Sequence, residues 1–312
     1  MKRFSVAALA VCVWAALASP QSWAARSPDA PRIAITIDDV DMDGEDTPHL
    51  NLKDRNKAIL KALKRANIKA AFFVCGSRVD NKQGRKRLRV IDEEGHLIGN
   101  HTYLHLNYTK TPFDVFAADV LRNELVIKDL QHFQRLFRFP YLKEGATEQQ
   151  RDRMREFLRD YGYRVGYVTV DASEWAIDAR LRKRLKENPE ADLSAYRDFY
   201  LEHIWNRATY YDELSKKVVG RSVNHTLLIH HNLLAALFLR DLLKMFESKG
   251  WELIDAGEAF TDPVFARMPE VVPAGESIIW ALAKEQTGFE KQLRYPAEDE
   301  KYETRRMDQL GL

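Results

Sequence analysis

Cysteine is nearly absent from these 312 residues: two occur, Cys12 and Cys75. Cys12 falls in an apolar leader, so Cys75 has no intramolecular partner and stability must come from a hydrophobic core rather than a disulfide framework. Cys75 closes the apolar run 70–74 and reads as a buried core thiol, with no pattern around it that suggests an activated nucleophile. A charge imbalance is missing too, since 48 Lys and Arg stand against 46 Asp and Glu. Loss of Lys2 and Arg3 with the leader makes the remainder neutral, which argues against nucleic acid and against strong steering to an anionic surface. Beyond the leader no apolar run approaches the roughly 18 residues a membrane span needs. Internal repeats and low-complexity tracts are also absent.

The leader itself has a basic start at Met1-Lys2-Arg3, an apolar run over 4–17, and small residues Ser22 and Ala24 at −3 and −1 of a cleavage site. Residues 1–24 are therefore expected to be a signal peptide cut after Ala24. The protein is expected to be exported, to a bacterial periplasm or beyond, with an uncleaved anchor as the alternative.

Past the leader, β-type and helical stretches alternate. Strands are predicted at 33–38, 69–75, 97–99, 136–140, 164–171, 226–231 and 252–255. Helices are predicted at 52–66, 77–94, 112–134, 147–161, 192–219 and 233–249. This order with short connections implies parallel strands and helical crossovers, and seven of them favour an α/β fold of the parallel barrel type. Residues 32–260 would form the barrel domain, 261–312 an extension with a helix near 276–285.

The chemistry concentrates in a few residues. His101 and His105, four apart, are expected to share one helix face, where a carboxylate from elsewhere can complete a three-ligand metal site with an open position for water. An Asp38-Asp39 pair closes the first strand, and a spare aspartate beside a ligand can take that water's proton. A rival metal reading starts from Asp39-x-Asp41-x-Asp43-Gly44, the first half of an EF-hand loop. Its twelfth residue is Leu50 rather than Glu, which leaves only a looser calcium site at Asp41, Asp43 and Glu45 as an alternative. A parallel barrel carries its chemistry at the carboxyl ends of its strands. Asp38 and Asp39, His101 and His105, Arg138 with Pro140 and Tyr141, Asp171, and His230 fall at five such ends.

Ile35-Thr36-Ile37-Asp38-Asp39, His101-Thr102-x-x-His105, Arg138-Phe139-Pro140-Tyr141, Asp171-x-x-x-Trp175 and Leu228-x-His230 resemble, in order, the five motifs of the polysaccharide deacetylases, the NodB-homology enzymes of carbohydrate esterase family 4. The resemblance spans about residues 32–255 and implies a distorted (β/α) barrel. It implies that Asp39, His101 and His105 bind one divalent metal, usually zinc, with Asp38 as general base oriented by Arg138. It further implies His230 as general acid held by Asp171, the Tyr141 N–H as oxyanion donor, and Trp175 with Leu228 lining the acetyl pocket. The implied reaction is hydrolysis of N-acetyl groups on an N-acetylhexosamine glycan, with release of acetate. A small non-glycan amide as substrate, or a non-catalytic carbohydrate-binding role, are the alternatives. This chain departs from the motifs at Ile37 and Val40 in the first, at Glu174 where the fourth has its second Asp, and at His231, whose role stays open. The stretch 176–221, with Trp205, Tyr210 and Tyr211, is expected to form a helical cover that presents stacking faces to sugar rings.

Overall fold

The computed structural model describes residues 30–42, 46, 47, 49–295 and 297–312. The signal-peptide segment, and Asp43 and Glu45 of the alternative calcium site, lie outside the described residues. Pro31–Leu312 forms one compact unit that includes the C-terminal extension. No described helix is long and apolar enough to cross a membrane.

Seven parallel strands make a curled sheet in the order β6-β4-β3-β2-β1-β7, with β8 alongside the first half of β1. They are β1 (Arg32–Asp38), β2 (Ala71–Val74), β3 (Leu97–Asn100), β4 (Phe133–Phe137), β6 (Arg164–Val165), β7 (Asn224–His230) and β8 (Glu252–Leu253). Helices α1 (Leu52–Arg65), α2 (Gly76–Val79), α3 (Lys82–Glu93), α4 (Phe113–Ile127), α5 (Glu148–Asp160), α6 (Glu174–Glu187), α7 (Ser194–Val219), α8 (Leu233–Ser248) and α9 (Ala256–Ala259) lie between or after them. Strand β1 is buried along nearly its whole length, as a parallel strand covered on both faces must be. Ile33, Ile35 and Ile37 pack outward into the main core. Ala34 packs inward with Ala71, Phe73, Leu136, Ile254 and Phe260. Alternation along the strand then puts Thr36 and Asp38 on that inner face, with Asp38 at its carboxyl end.

Two predicted strands differ from the observed ones. The fourth ends at Phe137, because Phe139–Leu142 turns away around Pro140, which has no N–H to donate. The fifth, expected unbroken over 164–171, pairs with β4 only at Arg164 and Val165 and then leaves strand geometry. Its remainder still bridges the sheet's outer strands: the Gly166 N–H donates to Phe137 O (2.7 Å), the Thr169 N–H to Thr226 O (3.2 Å), and the Leu228 N–H to Val170 O (3.0 Å). This seam closes the curl.

The extension adds α10 (Ile278–Glu285), α11 (Glu300–Leu310) and an antiparallel pair unforeseen from sequence, β5 (Lys143–Gly145) with β9 (Ala274–Gly275). Gly275 has φ +121°, and a Cβ there would lie 1.8 Å from the Leu142 carbonyl oxygen, so only glycine fits. The extension also grips the seam, through Ser277 Oγ donating to Thr169 O (2.7 Å) and the Ile278 N–H donating to Val168 O (2.9 Å).

Candidate metal centre

Strand ends bring Asp39, His101 and His105 together, with one ligand atom from each within 4.8 Å of the others. The spacing predicts the two histidines on one helix face, but they sit in an irregular loop after β3. The loop's N–H groups are taken by side chains instead of by helix carbonyls. Thr102 donates to Asn100 Oδ1, Tyr103 and Leu104 both donate to Asp119 Oδ2, and His105 donates to Thr102 Oγ1, at 2.8–3.0 Å. Such local bonds compete directly with helix formation. Asp39, Thr102 and His105 hold φ values of +59°, +63° and +57°, a conformation that non-glycine residues adopt at a cost and that collects at functional sites.

The residues fit a divalent ion. His101 Nδ1–H donates to the Arg138 carbonyl (2.8 Å), which leaves Nε2 free as a ligand. Burial pushes both His101 and His105 down to about 4, so both rings are neutral. Asp39 is buried, and its Oδ1 accepts no hydrogen bond from the described residues, although the Arg78 guanidinium lies 3.4 Å away. Burial works to raise the Asp39 carboxyl, but His105, His101 and Arg78 outweigh it and hold the group below its ordinary value. A buried carboxylate beside two neutral imidazoles is a donor set suited to zinc.

Asp38 stands beside this group in a different environment. Arg138, fully inside the curl, donates through Nη1 to both Asp38 Oδ1 and Thr36 Oγ1 (2.8 Å each) and through Nε to Gly166 O (2.9 Å). Its guanidinium lies 3.9 Å over the Phe73 ring, which forms its floor. Burial pushes Asp38 up to about 6 against the pull of Arg138 and His230. The register pairs Asp38 with His230 across β1 and β7, so the two face the same mouth.

The expected Asp171–His230 pair is not formed, and Glu174 takes that place. Its carboxylate accepts the His230 backbone N–H (2.7 Å), the His230 Nδ1–H (2.9 Å) and the Asn232 amide (3.0 Å). The chain makes a left-handed step at Ser173 (φ +47°), which starts α6 and carries the longer Glu174 side chain under β7. Asp171 is instead buried, with its Oδ1 facing the Ser173 N–H at 3.5 Å; burial, with Glu298 and Glu276 near, pushes it well above the usual carboxylate range.

Tyr141, half exposed at φ +58°, sets its ring edge-on to His105 with centroids 4.6 Å apart. Trp175 is partly exposed in the first turn of α6, and Leu228 is buried on β7 two residues before His230, on the same strand face. His231 is buried on the other face. Its Nδ1 accepts the Asp41 N–H (3.3 Å) and its Nε2–H donates to Asn56 (3.0 Å), so it ties the loop after Asp39 to α1. Asp41 itself is claimed by Arg87, two bonds of 2.9 Å coming from Nε. The aromatic residues of α7 do not reach the mouth. Trp205 packs on Phe246 and Trp251, Tyr211 is fully buried beside Glu298, and the Tyr210 hydroxyl donates to Gln292 O. Their faces are spent on α8 and the extension, not on a sugar.

Residues 25–166 match the family model described as polysaccharide deacetylase. The match takes in Asp38, Asp39, His101, His105, Arg138 and Tyr141, and stops short of Glu174 and His230. Over 143 residues the chain is 31% identical to a peptidoglycan-N-acetylglucosamine deacetylase of Bacillus cereus, across 46% of this chain and 46% of that protein. A peptidoglycan-N-acetylglucosamine deacetylase of Listeria monocytogenes is 30% identical over 145 residues, 46% of this chain and 27% of that protein. The chain thus spans less than half the length of these curated relatives. Among solved structures, a polysaccharide deacetylase from Bacillus cereus has a TM-score of 0.53 at 18% identity, covering 72% of this chain and 91% of that one. A CE4 family pseudoenzyme from Bacillus anthracis gives 0.52 at 17% identity, covering 75% and 66%; both likenesses are of fold. Over the segment 25–166 the chain is thus similar to the polysaccharide deacetylase family.

Proposed function

We propose that this protein is a metal-dependent hydrolase that removes N-acetyl groups from a glycan of N-acetylhexosamine units and releases acetate. The observation that carries the reading is a division of labour at one mouth. A neutral-imidazole ligand set lies beside a carboxylate with a raised pKa, and a cationic histidine stands across from both. The relatives' peptidoglycan N-acetylglucosamine activity supports a glycan amide as substrate.

Asp39, His101 and His105 would hold the ion, zinc by their chemistry, and it would supply Lewis acidity for the attacking water and the amide carbonyl. Asp38, held by Arg138, takes the proton as the water oxygen bonds to the carbonyl carbon. The Tyr141 N–H donates to the oxygen on which negative charge develops. His230, whose Nδ1–H is anchored on Glu174, gives a proton to the nitrogen as the carbon–nitrogen bond breaks, so the products are acetate and a free amine. Trp175 and Leu228 flank the space for the acetyl methyl group. Export through the leader would bring the enzyme to such a glycan.

Acetate release from chitooligosaccharides, peptidoglycan fragments and simple acetamides tests the reading, alongside metal content. Asp39→Asn, His101→Ala and His105→Ala should lose the ion. Asp38→Asn should keep it and lose about 10²–10⁴ in kcat. Metal retention without acetate from any glycan would refute the proposal, and turnover of small acetamides alone would move it to a non-glycan amidohydrolase.

A further inference from the structure

Helices α1 and α3 together carry eleven Lys and Arg against three Asp and Glu in 26 residues, within a protein of net charge +2. They flank a groove of about 530 Å³ with Leu60 and Val90 in its lining. Lys53, Lys57, Lys61 and Lys64 follow one another at four- and three-residue intervals and are all exposed, so they form one row along α1 with a cation every 5–6 Å or so. Lys86 faces them from α3. Among the described residues Lys57, Lys61 and Lys86 make no ion pair, whereas Lys64 meets Glu94 at 3.6 Å and Arg87 is committed to Asp41.

Lys53, Gln83 and Arg87 also line a second trough of about 520 Å³, together with Asp46, with Asp41, which pairs with Arg87, and with Arg78, which pairs with the ligand Asp39. We infer that this trough and groove hold an extended, carboxylate-bearing stretch of the same glycan strand whose acetamido group enters the site, an inference that rests on the deacetylase reading. A line of evenly spaced ammonium groups suits a linear polyanion better than one small anion. The lysine stems with Leu60 and Val90 offer apolar surface to the C–H faces of sugar rings. The trough's approach to Asp39 through Arg78 favours substrate over nucleic acid, for which nearness to a site of amide hydrolysis has no use.

The test compares the wild-type protein with Lys57→Gln/Lys61→Gln/Lys86→Gln, three exposed positions away from the catalytic residues. Fluorescently labelled polygalacturonate, which has no acetyl group to lose, should bind the wild type at low salt and the variant about tenfold more weakly. On soluble peptidoglycan strands with free lactyl carboxylates, the variant's KM should rise about tenfold with kcat within twofold. On neutral chitooligosaccharides of equal length both constants should stay put. Equal polygalacturonate affinity in the two proteins, or KM losses equal on acidic and neutral glycans, would overturn the inference. So would a single-stranded oligonucleotide that binds more tightly than polygalacturonate and is lost in the variant. If the wild type releases no acetate from either glycan, the deacetylase reading fails, while the binding comparison still decides the groove.

Discussion

Burial alone would drive the His230 imidazole below its ordinary value. The Glu174 carboxylate beside it, with help from Asp38 and Asp39, reverses this and lifts the group to about 9. A histidine raised in this way is protonated at neutral pH and loses its proton only as pH climbs through the raised value, so an acid role gives activity that falls on the alkaline side. Glu174→Gln keeps the side-chain shape and one acceptor but removes the charge. The alkaline limb of kcat/KM should then move to lower pH by a unit or more and kcat should fall, with metal content unchanged; an unmoved limb would remove Glu174 from the proton's control. The sequence made Asp39, His101, His105 and Asp38 legible because all four stand at or just after strand ends, although the histidines meet in a loop and not on a helix. It did not reveal which acid meets His230. That choice depends on the left-handed step at Ser173, and the only signal was an acidic residue just before Trp175.

At the scale of elements, the inner face of the curl is built around one ring. A Cβ on Gly166 would lie 2.4 Å from Phe73, and one on Gly99 2.7 Å from it, so two glycines on neighbouring segments make room for the ring on which Arg138 rests. Phe73 is fully buried and meets Phe260 edge-on, which leaves it little space to yield. Gly166→Ala should therefore cost about 1–3 kcal/mol in denaturant unfolding, as overpacked cores do, and should lower kcat by displacing Arg138 from Asp38. A variant with wild-type stability and turnover would mean that the ring can move after all. Apolar runs alternating with helical stretches located all seven strands of the sheet, most clearly β1, β2 and β7, which are buried almost throughout. They missed the break after Val165, where the pairing partner changes from β4 to β7, and the β5–β9 pair, whose short strands carry almost no pattern. The helix expected at His101–His105 failed for a third reason: Asn100, Thr102 and Asp119 supply the acceptors that a helix would take from its own backbone.

For the whole molecule, net charge proved a poor guide to surface electrostatics, because the basic row on α1 and α3 is offset by acidic residues elsewhere. The long helix α7 likewise could not be assigned from its aromatic content alone, since the packing partners of Trp205, Tyr210 and Tyr211 lie far along the chain, in α8, Trp251 and the extension. The seam at 166–170 has a consequence for how the molecule breathes. It lies outside regular strand geometry and draws its backbone bonds from β4, β7 and the extension, yet it supplies the carbonyl that holds Arg138 and leads straight into Glu174. Irregular segments outside a continuous ladder open at lower free energy than the centre of a sheet. Amide hydrogens over 166–170 should therefore exchange with solvent faster than those of β1, and mild urea should accelerate them further. Opening there would unhook Arg138 from Gly166 and free Glu174 from His230, while Asp39, His101 and His105 stay in place on their own strand ends. In rising urea the enzyme should thus fall silent before it releases its ion, a separation that zinc retention and turnover measured on one titration would expose.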